Sequence, residues 1–211
     1  MKGNEIYHHQ TNYSLLNTTN IKTSTTTIPK FTTAHELLVE DKFSIEISKN
    51  KTKTVELTLG DQICFVKPHT DLVCDTIVRG HLSKRHGGLQ SPTVYVLVAD
   101  NNFDFYNIVD IAKNKYKMNL DIVLQNTIVR RFFTIYQLAD FLIKDLAKDI
   151  QKYKSKLVII TGDFFLRDQQ ISKEDTDWLY PQMVKAIKKV VANSIILVFS
   201  PTTLSNLVNY I

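Results

Sequence analysis

Three short runs of apolar, largely β-branched residues constrain this chain most. They are Val94-Tyr-Val-Leu-Val-Ala99, Leu157-Val-Ile-Ile160 and Ile195-Ile-Leu-Val-Phe199. A strand wetted on one face alternates apolar and polar residues. A short continuous apolar run instead fits a strand covered on both faces. Helical patterns lie between the runs. Ile135 to Lys152 sets Leu138, Phe141, Leu142 and Leu146 at a 3.6-residue period, and Asp175 to Val191 reads as the next helix. Asp104 to Tyr116 reads as a helix leading to a short strand at Ile128-Val129. This alternation specifies an α/β fold, a mostly parallel sheet flanked by helices on both faces. Upstream, Phe43 to Ile47 and Val55 to Leu59 alternate as short strands. Gln62 to Val66 is a further buried strand, followed by a helix from Thr70 to about Leu82. Phe31 to Val39 also has helical spacing.

With 211 residues, 44% of them hydrophobic, the chain has material for one sizeable core. Residues 1–29 do not contribute to it. They hold six Thr between Thr18 and Thr27 and have no sustained apolar period, so they read as a flexible arm ahead of a core over residues 30–211. No apolar run approaches the roughly 18 residues of a membrane span, and the N-terminus lacks the apolar stretch of a secretory signal. Cys64 and Cys74 are too few for a disulfide scaffold or a four-thiolate zinc site. Together these features read as an intracellular, reduced protein. The net charge of +5 permits a polyanionic partner but does not demand one, because 21 carboxylates are interspersed among 26 basic residues. The six His form no metal-binding pair.

A doubly wound sheet binds ligands beyond the carboxyl ends of its strands. Here those points are Lys67 to Thr70, Asp100 to Asn102, Thr161 to Asp163 and Ser200 to Thr203. A nucleotide site of this architecture needs glycines that let backbone N–H groups close on phosphate, a Lys for its charge and a Ser or Thr for Mg²⁺. The octet at the first point is Ile63-Cys-Phe-Val-Lys-Pro-His-Thr70, with no Gly. Pro68 has no N–H to give. His69 stands at the lysine position, and its imidazole is mostly neutral at pH 7. Thr70 alone survives, with Lys67 offset. The strand Leu157 to Ile160 ends in Thr161-Gly162 where a metal-holding acid is needed, and Asp163 comes two residues late. Asp100 is placed for a water-activating carboxylate, but without a phosphate loop a turn Asp capping the next segment with Asn101 and Asn102 is the favoured reading.

At these residues the sequence resembles the RecA-superfamily strand-exchange recombinases of archaea and eukaryotes, and their paralogs, over roughly residues 30 to 200. Lys30-Phe-Thr-Thr-Ala-His-Glu36 resembles the family's F-x-x-A segment. His86-Gly-Gly-Leu89, Val94-Tyr-Val96 and Asp100-Asn-Asn-Phe103 follow its G-G-L … V-Y-I-D-T-E-N-T-F run, with Val98 at the first acid and Asp100 at the catalytic Glu. Ile128-Val-Arg-Arg-Phe-Phe-Thr-Ile-Tyr-Gln137 runs without gaps along Y-A-R-A-F-N-T-D-H-Q, sharing Arg130, Phe132, Thr134 and Gln137. Leu166-Arg167 and Gln182-Met183 resemble the Y-R … R-Q-M around the first DNA-binding loop.

The resemblance implies a RecA-like core, C-terminally shortened. It also implies a bridge in which Phe31 and Ala34 plug into a pocket on a partner recombinase or sister paralog. The degenerate nucleotide site would comprise Lys67, His69, Thr70, Asp100 and Asp163. The implied role is that of a non-catalytic accessory subunit in homologous recombination and DNA repair. It would have no catalytic residue, cofactor or metal of its own and no membrane association. Its implied compartment is the nucleus, or the cytoplasm and nucleoid in an archaeon. Single-stranded DNA would be met mainly through the complex. The candidate contacts are Arg79, Lys84, Arg85, Lys173, Lys185, Lys188 and Lys189, although the first loop also carries Asp168, Glu174, Asp175 and Asp177. The alternative is a regulatory RecA/KaiC-like ATPase in which Thr70, Asp100 and Asp163 hold Mg²⁺. Trp178 reads as a core or half-buried residue at a helix start.

Overall fold

The computed structural model describes residues 42–47, 54–66, 70–98, 103–162 and 172–200. The arm expected over residues 1–29, the helix expected over Phe31 to Val39 and the chain after Ser200 lie outside them. A first hairpin pairs β1 (Phe43–Glu46) antiparallel with β2 (Thr54–Leu57). Then come β3 (Gln62–Val66), α1 (Thr70–His81), a 3₁₀ turn at Lys84–His86 and β4 (Thr93–Val98). The short helices α2 (Phe105–Asp110) and α3 (Leu120–Gln125) lead to β5 (Thr127–Phe132). The chain continues through α4 (Ile135–Lys144), α5 (Leu146–Tyr153), β6 (Leu157–Gly162), α6 (Lys173–Val191) and β7 (Ile195–Ser200).

β3 to β7 form one five-stranded, wholly parallel sheet in the order β3-β7-β6-β4-β5. That order fixes where the helices go. The connections β3 to β4 and β4 to β5 step across the sheet in one direction, and those from β5 to β6 to β7 step back. Right-handed crossovers therefore put α1, α2 and α3 on one face and α4, α5 and α6 on the other. Side chains of the central strands alternate between two cores to match. Tyr95, Leu97, Leu157, Ile159, Leu197 and Phe199 join the first, with α1 and the hairpin residues Phe43 and Ile45. Val94, Val96, Val98, Val158, Ile160 and Val198 join the second, with Leu138, Leu142 and Met183. Coverage on both sides is why these strands read as unbroken apolar runs. This mixed α/β architecture is consistent with a RecA-like fold. Among the described residues no helix is long and apolar enough to cross a membrane.

Three elements depart from the sequence expectation. The single helix expected over Ile135 to Lys152 bends at Asp145 (φ −119°, ψ −23°) into α4 and α5. The bend lets Leu142 and Leu146 both reach the second core and sets Asp149 against Arg130. The helix expected to Tyr116 widens after Asp110 into a π turn at Ile111–Lys115, where the Tyr116 N–H donates to the Ile111 carbonyl. Such widening re-aims side chains, and here Lys115 and Tyr116 both reach Asp75. α3 was not anticipated, although Asn119, whose side chain accepts from the Asp121 N–H, marks its start.

His81, at the end of α1, is buried, and its Nε2 shares a 3.0 Å hydrogen bond with Thr127 Oγ1. Burial pushes its pKa down from 6.5 to about 4. The native state thus refuses a proton that the unfolded chain accepts. The stability from this site is complete above the unfolded value and is lost as the pH falls from about 6.5 towards 4. Chemical denaturation of wild type and His81→Gln across that window tests this. The wild-type advantage shrinks by roughly 3 kcal/mol on acidification. A constant difference would exclude the buried neutral imidazole.

Candidate functional site

Strand register brings the carboxyl ends to one level. Val66 pairs with Ser200, Thr161 with Phe199, Gly162 with Val98, and Val98 with Phe132. A single row therefore runs Val66, Ser200, Gly162, Val98, Phe132 across the sheet. The segments holding Lys67, His69, Asp100 and Asp163 leave from this row and lie outside the described residues, as do Phe31 and Ala34. Thr70 opens α1 four residues after Val66, so the octet runs from the end of β3 to the start of α1.

The described chemistry around that junction does not favour phosphate. A helix N-terminus attracts anions through its unpaired N–H groups, but the first turn of α1 carries the exposed carboxylate of Asp71. Asn107 Nδ2 donates to Asp71 Oδ1 at 3.1 Å and so ties α1 to α2. At the end of β6, where a metal-holding acid would stand, the Thr161 hydroxyl donates to the Tyr95 hydroxyl at 2.9 Å in a buried contact. The two cysteines are no more reactive. Burial pushes Cys64 and Cys74 up to about 12, so both stay protonated thiols.

The candidate DNA contacts are not brought together. Lys84 and Arg85 sit on the 3₁₀ turn beyond α1, on the first face of the sheet, with Arg85 exposed. Lys185, Lys188 and Lys189 are exposed on α6, on the second face, while Met183, Val184 and Ile187 point into the core. Lys173 is the first residue of α6. Arg79 does not belong to any such surface. It is 6% exposed, and its Nε donates to Asp75 Oδ2 at 2.9 Å. Its other nitrogens reach the Ser44 carbonyl at 3.1 Å and the Glu46 carboxylate. Asp75 also accepts from Lys115 Nζ at 2.7 Å and from the Tyr116 hydroxyl at 2.8 Å. Burial works against the charge on Arg79, yet Tyr116, Asp75 and Glu46 outweigh it and its pKa stays above the ordinary value. Helical spacing exposes a basic residue only if nothing packs over it, and the hairpin packs over this one.

The residues shared with the recombinase pattern have structural partners. Arg130 grips Asp149 with two nitrogens, at 2.7 and 3.2 Å. Phe132 packs on Phe141 with ring centroids 4.9 Å apart. Thr134 accepts from the Gln137 N–H, and the Gln137 side chain accepts from the Phe133 N–H, forming a reciprocal cap on α4. The Gly87 carbonyl accepts from the Ser44 N–H and so pins β1. Each of these positions thus has a partner within the fold. Trp178 is the residue the sequence reading misplaced. It is 65% exposed on the outer side of α6, not half-buried. Its neighbours Leu179 and Tyr180 take the inward positions instead.

A scan of the chain against protein-family profiles finds no match, and a search of curated proteins finds no similar sequence.

Proposed function

We propose that this chain is a non-catalytic paralog of the strand-exchange recombinases. It acts as an accessory subunit in homologous recombination and DNA repair. It binds a sister paralog or the recombinase itself and assembles, stabilises or caps the filament on single-stranded DNA. The observation carrying this reading is the junction of β3 and α1. A strand end and a helix start stand there four residues apart, as at a nucleotide site, but the octet has no Gly, Pro68 removes a donor, and Asp71 follows in the first turn. Thr161 tied to Tyr95 in place of an acid supports it further. A scaffold of this kind is suited to docking, with hydrolysis left to its companion.

Phe31 is the proposed anchor, and burying its ring in a partner pocket would contribute about 2 kcal/mol or more. Co-expression with the recombinase and affinity capture of the full chain test this. Wild type retains the recombinase, and Phe31→Glu loses it by more than tenfold. Equal retention by the two would remove the bridge from the account. Titration with labelled ATP, with and without Mg²⁺, separates the regulatory-ATPase alternative, for which Mg²⁺-dependent binding is the signature.

A further inference from the structure

We propose that the exposed aromatic surface where α4 and α6 begin docks a basic, arginine- or lysine-bearing segment of a partner protein. This does not rest on the recombinase reading and is independent of Phe31. Phe133, at the corner between β5 and α4, is 61% exposed, Tyr136 46% and Trp178 65%. The two helix starts are held together, because the Tyr136 hydroxyl donates to Asp175 Oδ2 at 2.9 Å. Trp178 lies one helical turn beyond Asp175 on α6. Phe133 and Trp178, each more than half exposed at these two joined helix starts, suit an interaction surface better than scattered exposure does, and Trp is prominent among the anchors that carry binding energy.

Charge decides the occupant. Glu174 and Asp175 lie one turn before Trp178 on α6 and Asp177 immediately before it, all three exposed, against one base, Lys173, in the same turn. Acids in a first helical turn also offset the helix dipole, which accounts for Glu174 and Asp175. It does not account for an indole held out in solvent. Nucleic acid would stack on the same rings, but its phosphates would meet three carboxylates. A guanidinium or ammonium gains from both the carboxylates and the ring faces.

Trp178 is the only tryptophan, so its emission reports on this surface alone. The full chain is titrated with a dodecapeptide of alternating Arg and Gly, and separately with oligo-dT. The expected result is a saturable change in emission with the peptide that weakens with salt. The double variant Glu174→Gln/Asp177→Asn weakens peptide binding at least about fivefold, while Glu56→Gln, an exposed acid on β2, leaves it unchanged. With a fluorescein-labelled peptide read by anisotropy, Trp178→Ala weakens binding about tenfold. A response to oligo-dT in place of the peptide would overturn the proposal. So would silence to both, or equal weakening by Glu56→Gln. Recombinase capture is read separately, so either result can fail while the other stands.

Discussion

Asp75→Ala lowers the unfolding free energy by about 3 to 5 kcal/mol, read as a shift in the urea midpoint at unchanged slope. The carboxylate of Asp75 accepts from Arg79, Lys115 and Tyr116 at 2.7 to 2.9 Å. It is buried, as is Arg79. Removing it leaves the Arg79 charge with Glu46 alone, in a site where burial already opposes ionisation. The cluster also joins three separate pieces of chain: β1 through Glu46 and Ser44, α1 through Asp75 and Arg79, and the π turn through Lys115 and Tyr116. Loss of Asp75 therefore loosens the hairpin first, and amide exchange in β1 accelerates before exchange in β6 does. A cost below about 1 kcal/mol, the range of an exposed pair, would show that the cluster is solvated and not a clamp.

Gly162→Ala costs about 2 to 5 kcal/mol by the same measurement. Gly162 sits at φ +118°, and an added Cβ would lie 2.0 Å from the Val98 carbonyl oxygen on the neighbouring strand. Backbone strain and a clash with an immovable backbone atom act together there. Gly60 separates the two. Its φ is +101°, but nothing lies within 4 Å of its added Cβ, so Gly60→Ala carries strain alone. The difference between the two variants measures how tightly β4 and β6 close at their carboxyl ends. Equal costs would mean that β4 can move aside. In that case the row from Val66 to Phe132 would not be a rigid floor for the segments that leave it.

The strands were legible because their signal is physical and local. A strand covered on both faces needs an unbroken apolar run, which β4 has over residues 94–98, β6 over 157–160 and β7 over 195–199. Likewise, the expected parallel sheet with helices on both faces is present, and its wound order separates the two cores. Helix continuity was less legible. Nothing in the period from Ile135 to Lys152 distinguishes a straight helix from one bent at Asp145, because a bend preserves the apolar stripe. The π turn at Ile111 is invisible for the same reason. Its purpose is a contact with Asp75, far away in sequence.

The candidate site shows the same division. The amino-acid order alone leaves the octet without glycine and puts His69 at its lysine position, and no folding can restore a donor that Pro68 lacks. Composition likewise places three acids around Trp178. Exposure, in contrast, is a property of what packs nearby. Arg79 and Trp178 both lie on helices in patterns that admit either fate. The hairpin buries the first, and the outward side of α6 leaves the second in water. Residue chemistry is written into each position separately, whereas burial and partnership come from residues distant in the chain that only the completed fold brings alongside.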